Sequence, residues 1–392
     1  MSYTRREFGK LALAGLPAAA LIGRSESIFG AFPPSRLSGA SARQVASKPN
    51  SLINGVQIGT ITYSYRSMPD QSAEATLKYI VDSGISAIEL MGGPVESFAG
   101  APTSGRGGGP GGGGRAAGGG RRGEAAADAP APQFNSSWNG QPCNAAPRGD
   151  APAQARGGGG GGRGQQTPEQ QAAQREQAEK MKAWRTSVSM DKFKALRKMY
   201  NDAGVTIYAW KQLNPAMSDE EFEYIFNVAE ALGCTHTTLE LPAGPEADAQ
   251  LKRVGDFALK KKIYAAYHTH TQGSMTVFDK AFAASKGNMA NVDLGHWVAG
   301  GNMGGTPMDF LKKYHDRTAS FHLKDRTTPE HCALNLPWGT GETPIKDILQ
   351  LVQKNKWKIP ASIELEYSVP EGSDAVQEVR KCVDYCRRAL ST

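Results

Sequence analysis

From residue 55 onwards, short runs of β-branched and apolar residues alternate with longer segments whose apolar positions recur every three to four residues. The first pattern predicts buried strands and the second predicts amphipathic helices. The strands are predicted at Val56–Tyr63, Ala87–Met91, Thr206–Trp210, Thr237–Leu241, Ile263–His270, Ala290–Leu294, Ala319–Lys324 and Ala361–Tyr367. The helical segments are predicted at Ala73–Ser83, Pro168–Tyr200, Asp219–Leu232, Ala247–Lys261, Met275–Ser285, Pro307–Tyr314, Pro344–Asn355 and Ala375–Leu390.

This alternation is typical of an α/β protein with a parallel sheet. Eight strand–helix units are the number that closes a (β/α)8 TIM barrel, whose active sites lie at the C-terminal ends of the strands. An open doubly wound sheet is the main alternative, but no glycine-rich dinucleotide fingerprint follows the first strand. We therefore expect one TIM-barrel domain over residues 52–392.

Residues 100–166 interrupt the pattern after the second predicted strand. Residues 101–165 hold 21 of the 46 glycines, together with many Ala, Pro and Arg and almost no aliphatic residues. Such a composition cannot bury a core, so we expect a disordered low-complexity insert within the barrel. It falls on the active-site face, and we favour a passive tether over a partial lid.

The net charge of +7 is compatible with nucleic-acid binding, but the distribution of the charge along the chain argues against it. Residues 1–24 carry four basic residues against one acidic residue, and residues 101–165 carry seven arginines against three acidic residues. These two segments hold the whole excess, so the remainder is near neutral. Nucleic-acid binding needs a basic stripe on a folded face, and none is visible.

The five cysteines show no paired CxxC spacing. Cys382 and Cys386 are one helical turn apart, which suits buried free thiols better than a disulfide framework.

The N-terminus pairs Arg5 and Arg6 with Phe8 and Lys10, and an apolar run over residues 11–22 follows. A basic segment followed by a short apolar one is typical of a secretory signal and is too short to span a membrane in the mature protein. The arginine pair resembles a twin-arginine export signal. We expect residues 1–30 to be such a signal peptide, with export to the periplasm and no stable membrane span after processing. An uncleaved membrane anchor is the alternative.

Side chains capable of metal binding and acid–base chemistry end five consecutive predicted strands, the fourth to the eighth. They are Glu240, His268, His270, Asp293, His296, His322, Lys324, Glu364 and Glu366. Strand ends of a parallel barrel converge on one mouth, and imidazole with carboxylate suits Mn, Zn, Fe, Co or Mg. Period-two alternation places His268 beside His270 and Glu364 beside Glu366, so each strand offers one ligand and one acid–base group.

Four segments in this order and spacing carry a family resemblance: VDLGH (292–296), FHLKD (321–325), WGTGETPIKDIL (338–349) and IELEY (363–367). Over roughly residues 52–390, apart from the insert, the chain resembles the xylose isomerase-like barrel superfamily. That superfamily includes sugar phosphate isomerases/epimerases, ketose 3-epimerases and myo-inosose dehydratases. The resemblance implies a divalent metal ion (Mn, Mg, Co or Zn) held by His268, Asp293, His322 and Glu364. The family usually has Glu at the first position, so His268 weakens a two-carboxylate epimerase mechanism.

The expected function is that of a metal-dependent sugar isomerase or epimerase that removes a proton next to a carbonyl chelated by the ion. Glu240 or His270 is the expected base, and Lys324 the expected oxyanion-binding group. The carbohydrate substrate is expected to contact four further side chains: Glu89, Trp210, His296 and Glu366.

Two alternatives stay open. A dehydratase or lyase on a keto-sugar, keto-glycoside or cyclitol is favoured by the histidine-rich fifth strand and by export. A non-catalytic carbohydrate-binding barrel predicts no tightly bound metal. A nuclease needs further ligands on early strands, and the first three offer no histidine. The sequence names neither the sugar nor the metal, and it leaves a homo-oligomer open.

Overall fold

The computed structural model describes residues 48–102, 137–143 and 167–391. Eight parallel strands form its centre, named β1 to β8 here: Val56–Ile61, Ala87–Met91, Thr206–Lys211, His236–Glu240, Tyr264–His268, Asn288–Asp293, Thr318–Leu323 and Ala361–Ile363. Each strand pairs with the next, and β8 pairs with β1 so that Ile363 is in register with Thr60. The sheet is therefore closed, which confirms the predicted (β/α)8 TIM barrel.

Within the described residues, eleven α-helices accompany the barrel: Ala73–Asp82, Gly92–Phe98, Pro168–Ser187, Asp191–Asp202, Asp219–Leu232, Ala247–Lys261, Asp279–Ala284, Leu294–Ala299, Pro307–Tyr314, Ile345–Asn355 and Ala375–Leu390. Most of them bury an apolar stripe against the strands, as amphipathic helices do. The last helix buries Val379, Cys382 and Cys386 in this way. None of the described helices is both long enough and apolar enough to cross a membrane.

The helix predicted over Pro168–Tyr200 is two helices. The first ends at Ser187 because Val188 adopts an extended conformation, with φ −68° and ψ 137°. The Ser187 hydroxyl donates to the carbonyl of Ala183, and such local bonds compete with helix continuation. A short helix over Leu294–Ala299 was not expected. It starts directly after β6, and the Asp293 carboxylate caps it by accepting from the backbone N–H of His296.

Part of the insert is described and is ordered. Residues 137–143 form a small hairpin, Ser137–Trp138 against Gln141–Pro142, and Cys143 forms a disulfide with Cys332 in the loop after β7. The expectation of buried free thiols is confirmed for Cys382 and Cys386, whereas the pairing of Cys143 with Cys332 was not predicted. The rest of the insert and the expected signal peptide lie outside the described residues.

The lower interior of the barrel is closed by rings and hydroxyls. The Tyr208 ring stacks on that of His236 with centroids 5.9 Å apart, and His236 Nε2 lies 2.9 Å from the Ser320 hydroxyl. A Cβ at Gly59 would lie 2.9 Å from the Tyr208 ring, so only glycine leaves room for it. The polar side chains of the predicted site lie farther along the barrel axis, at the C-terminal ends of the strands.

Candidate metal centre

Four side chains at the C-terminal ends of adjacent strands converge on one point. His268 ends β5, Asp293 ends β6, His322 lies one residue before the end of β7, and Glu364 follows β8 directly. One potential ligand atom from each lies within 4.8 Å of the other three, and all four residues are buried. The structure therefore brings together the ligand set that the family resemblance implies.

His268 is oriented by a neighbour on β6. Its Nδ1 lies 2.9 Å from the side-chain oxygen of Asn291, which can only accept. The proton therefore sits on Nδ1, and Nε2 keeps its lone pair for a cation. Burial and the nearby Lys211 ammonium lower the pKa of His268 to about 3, so the ring is neutral, as a metal ligand must be.

His322 stands between two carboxylates. Its Nδ1 lies 2.8 Å from Oε2 of Glu364, and its Nε2 lies 2.8 Å from Oε2 of Glu89. Burial opposes protonation, but the two carboxylates outweigh it and raise the pKa of His322 to about 10. A cation at this position would require Nδ1 to lose its proton, because imidazole binds metals in its neutral form.

Glu89, a predicted sugar contact, lies buried beneath the cluster, and protein side chains surround its carboxylate. It is fully buried and accepts hydrogen bonds from Thr238 and Asn291 as well as from His322. Despite its burial, His322 and Lys211 lower the pKa of Glu89 to about 2. Its position fixes the orientation of His322.

Lys324 extends from the end of β7 into a group of carboxylates. Its ammonium lies 2.9 Å from Asp293, 2.9 Å from Glu364 and 2.7 Å from Glu366, and only 3% of the side chain is exposed. A Cβ at Gly295 would lie 2.3 Å from Cγ of Lys324, so the glycine makes room for the lysine. Three carboxylates surround the ammonium and one of them, Glu366, accepts a hydrogen bond from it, which argues against the predicted oxyanion-binding role.

The donor set and its charge fit a divalent cation. Oδ2 of Asp293 is buried and lies 2.9 Å from the Lys324 ammonium without a well-aligned hydrogen bond, so it keeps the capacity to bind a cation. Imidazole and carboxylate donors together suit Mn, Fe, Co or Zn. When His322 is neutral, the positive charges near the site are those of Lys324 and Arg326. They offset two of the four neighbouring negative charges, so a net charge of −2 is left for a divalent cation. The four carboxylates are Glu89, Asp293, Glu364 and Glu366.

A second group of polar side chains lies on the β3–β5 side of the mouth. Glu240 is 54% exposed, and its Oε1 lies 2.7 Å from the ammonium of Lys211 at the end of β3. Its other oxygen lies 3.7 Å from Nδ1 of His270, a half-exposed residue just beyond β5. Partial burial opposes it, but Lys211 lowers the pKa of Glu240 to about 2. A carboxylate with so low a pKa is a poor general base.

His270 and His296 continue a row of rings that starts at the metal cluster. The ring centroids of His322 and His268 lie 4.6 Å apart, and His270 lies 5.0 Å from both His268 and His296. His296 Nε2 lies 3.6 Å from Glu366, and its Nδ1 faces a guanidinium N–H of Arg326. Burial, with help from Lys324 and Arg326, holds the pKa of His296 well below its usual range. Both predicted substrate contacts, His296 and Glu366, therefore border the cluster.

Trp210, another predicted substrate contact, packs towards the outer helical layer. It is fully buried, and its ring makes a T-shaped contact with Tyr224 in the outer helical layer. The pairing of β2 with β3 shifts register between Ile88 and Glu89, so strict alternation along β3 fails near this residue.

The glycine-rich segment 338–343 supports the site from outside. It wraps around the carboxylate of Asp325, which accepts backbone N–H groups from Gly339, Thr340, Gly341 and Thr343. A Cβ at Gly341 would lie 2.3 Å from that carboxylate. The segment thereby holds the chain just beyond Lys324.

Sequence reasoning missed Lys211, Asn291 and Arg326. Lys211 ends β3 just as the predicted residues end later strands, so the same criterion would have found it. Asn291 is two residues before Asp293 on one strand face, which period-two alternation would have indicated. Arg326 lies beyond the strand, and no spacing rule points to it.

Neither a family model nor a curated protein matches this sequence. Among solved structures, a xylose isomerase domain protein from Alicyclobacillus acidocaldarius subsp. acidocaldarius has a TM-score of 0.52. It is 11% identical, and the match covers 86% of this chain and 100% of that one.

Two further solved structures are similar at lower TM-scores. A sugar phosphate isomerase/epimerase from Parabacteroides distasonis ATCC 8503 is 14% identical, with 86% and 96% of the two chains covered and a TM-score of 0.48. The IOLI protein, solved with a bound zinc atom, is 12% identical, with 86% and 98% covered and a TM-score of 0.47. At these identities the likeness concerns the fold alone: this chain is similar in architecture to xylose isomerase-like TIM barrels.

Proposed function

We propose that the protein is a metal-dependent enzyme that moves a proton next to a carbonyl of a small polyhydroxylated substrate, as an isomerase or epimerase. The observation that carries this proposal is the convergence of His268, Asp293, His322 and Glu364 at the barrel mouth. A divalent ion in that position would polarise a carbonyl and a neighbouring hydroxyl and stabilise the charge left by the departing proton.

His270 is the base that the geometry favours over Glu240. It lies next to His268 at the mouth and is half exposed, so a substrate can reach it. Glu240 stands 3.7 Å from its Nδ1 and is already paired with Lys211, so it orients the imidazole and does not take the proton itself. His296, neutral and beside Glu366, is placed to hand a proton to a departing or re-protonated group.

An eliminating reaction is the second candidate. Two different imidazoles, His270 and His296, flank the cluster, and their rings are 5.0 Å apart. A dehydratase or lyase needs one group that removes a proton and a second group that protonates the departing hydroxyl, and the two imidazoles could supply these roles.

We also propose export to an oxidising compartment. The Cys143–Cys332 disulfide supports this location, because disulfides persist in the periplasm and are rare in the cytosol. The expected twin-arginine signal lies outside the described residues and remains a prediction.

Metal content of the purified protein tests the site. We expect about one divalent ion per chain, lost in Asp293→Ala and in His322→Ala. Asp248→Ala and His331→Ala change an exposed residue of the same type, each paired elsewhere, and should retain the metal. Absence of metal under every loading condition would leave the carbohydrate-binding barrel as the better account.

Solvent deuterium uptake tests the reaction. Isomerisation, epimerisation and stepwise elimination all begin with removal of a carbon-bound proton, so a substrate keto-sugar should acquire deuterium in D2O. Loss of a hydroxyl, followed by mass, separates elimination from isomerisation. We expect His270→Ala to abolish exchange with the metal retained. Exchange at the wild-type rate in that variant would contradict the role of His270.

A further inference from the structure

The two lysines at the barrel mouth are not equivalent. Lys324 is 3% exposed and lies within 2.9 Å of three carboxylates, whereas Lys211 is 19% exposed and forms its one close ion pair among the described residues with Glu240. An ammonium carries three N–H donors, so one ion pair leaves donors over. Within the described part of the chain, Lys211 forms no second ion pair shorter than 4 Å, although Glu89 and Glu364 act on its charge from farther away, and its partner Glu240 is more than half exposed.

The pair stands directly beside the proposed metal ligands. Glu240 on β4 is in register with His268 on β5, and Lys211 on β3 is in register with Thr238 on β4. Because Glu240 lies beside both His268 and the half-exposed His270, a substrate held at the cluster could reach the pair.

Ammonium and carboxylate together offer donors next to an acceptor. A vicinal diol needs that combination, because one hydroxyl oxygen can accept from Lys211 while the neighbouring hydroxyl donates to Glu240. The pair carries no net charge, so it offers a phosphate group no net electrostatic attraction. These contacts select for an uncharged, hydroxylated part of the substrate.

We propose that Lys211 and Glu240 form a diol-binding subsite and that the substrate is an unphosphorylated sugar or polyol-like compound. This inference rests on the proposed function, since the diol belongs to the molecule that reacts at the cluster. It assigns to Lys211 a substrate contact that the sequence analysis placed on Lys324.

Equilibrium binding of sorbitol to the metal-loaded protein tests the subsite without requiring turnover. We expect Lys211→Met and Glu240→Gln each to weaken sorbitol binding roughly ten- to hundredfold, the range for hydrogen bonds to charged groups. Metal content should be unchanged, and Lys211→Arg should restore part of the affinity. Lys198→Met is the matched control, because Lys198 forms a comparable ion pair with Asp202 on an exposed helix.

Sorbitol 6-phosphate distinguishes a diol site from an anion site. We expect it to bind the wild-type protein no more tightly than sorbitol does. Tighter binding of the phosphate that is lost in Lys211→Met would overturn the proposal, and so would equal sorbitol affinity in the wild type and both variants.

The two proposals can fail separately. If sorbitol binding depends on Lys211 and Glu240 but no keto-sugar takes up deuterium, the proposed subsite is supported and the proposed reaction is contradicted. Deuterium uptake with an unchanged KM in Lys211→Met would retain the reaction and remove the subsite.

Discussion

His268 donates from Nδ1 to the side-chain oxygen of Asn291, 2.9 Å away on the neighbouring strand. Asn291 is itself fixed, because its amide donates to Glu89 and Ser320. Removing such an orienting partner typically lowers metal affinity 10- to 100-fold. We expect a loss of about that size in Asn291→Ala, measured by metal titration.

The control for this variant is on the same strand. Asn288 is also fully buried and hydrogen-bonded, but its partners are Tyr267 and two backbone carbonyls of the outer layer. Asn288→Ala should destabilise the protein while its metal affinity stays at the wild-type value. An equal loss of affinity in both variants would show that Asn291 acts only through stability.

Gly295 gives a second prediction. A Cβ there would lie 2.3 Å from Cγ of Lys324 and 2.5 Å from its carbonyl oxygen, so Gly295→Ala must displace the end of β7. We expect a stability loss of about 1–3 kcal/mol, typical of overpacking, together with reduced metal content.

Gly84→Ala is the comparison. Gly84 has a positive φ of 81° and open space around it, so alanine there suffers only backbone strain, of about 1–2 kcal/mol. Its metal content should equal that of the wild type. If Gly295→Ala also retained full metal content, the packing of Lys324 against residue 295 would not matter to the site.

His236 predicts a sensitivity to acid. Burial lowers its pKa to about 4, below the usual value of 6.5, so folding favours the neutral ring. The free energy of unfolding is therefore highest above about pH 6.5, where the ring is neutral in both the folded and the unfolded state, and it decreases as the pH falls towards 4. The difference corresponds to roughly 3 kcal/mol.

Urea unfolding of the metal-free protein at pH 7 and pH 4.5 measures this effect. His236→Gln should lose less stability between the two pH values than the wild type does. His331→Gln, which changes a half-exposed histidine, should show the wild-type difference. Identical pH dependence in all three proteins would contradict the assignment to His236.

The disulfide gives the last prediction. The denatured, unreduced protein should show three free thiols, those of Cys234, Cys382 and Cys386. Reductant should lower the free energy of unfolding by roughly 2–4 kcal/mol. It should have no such effect on Cys143→Ser/Cys332→Ser. Five free thiols in the wild type would show that the disulfide does not form.

Much of the architecture followed from periodicity. The strands are buried runs and most helices have one apolar face, so the eight units and the site at their C-terminal ends were predictable. His268, Asp293, His322 and Glu364 were among nine candidates at predicted strand ends, and the family resemblance implied that these four are the ligands.

The features that the sequence did not indicate depend on contacts between distant segments. Trp210 was expected to contact the substrate because it ends a predicted strand, but its ring packs against Tyr224 in the helical layer, close to the register shift at Glu89. Lys324 was assigned to substrate, but carboxylates from two other strand ends engage it. The partner of Cys143 lies 189 residues away, beyond the range of any local pattern.

The same disulfide determines how the molecule responds to a pulling force. Cys143 and Cys332 enclose β3 to β7, so tension applied at the two ends passes through the sulfur–sulfur bond and bypasses these five strands. Only β1, β2 and β8 can then be peeled away and extended. Reduction of the disulfide would allow the segment between the two cysteines, a separation of 189 residues, to extend by about 650 Å. In an oxidising environment the proposed metal ligands His268, Asp293 and His322 therefore lie in the mechanically shielded part of the protein.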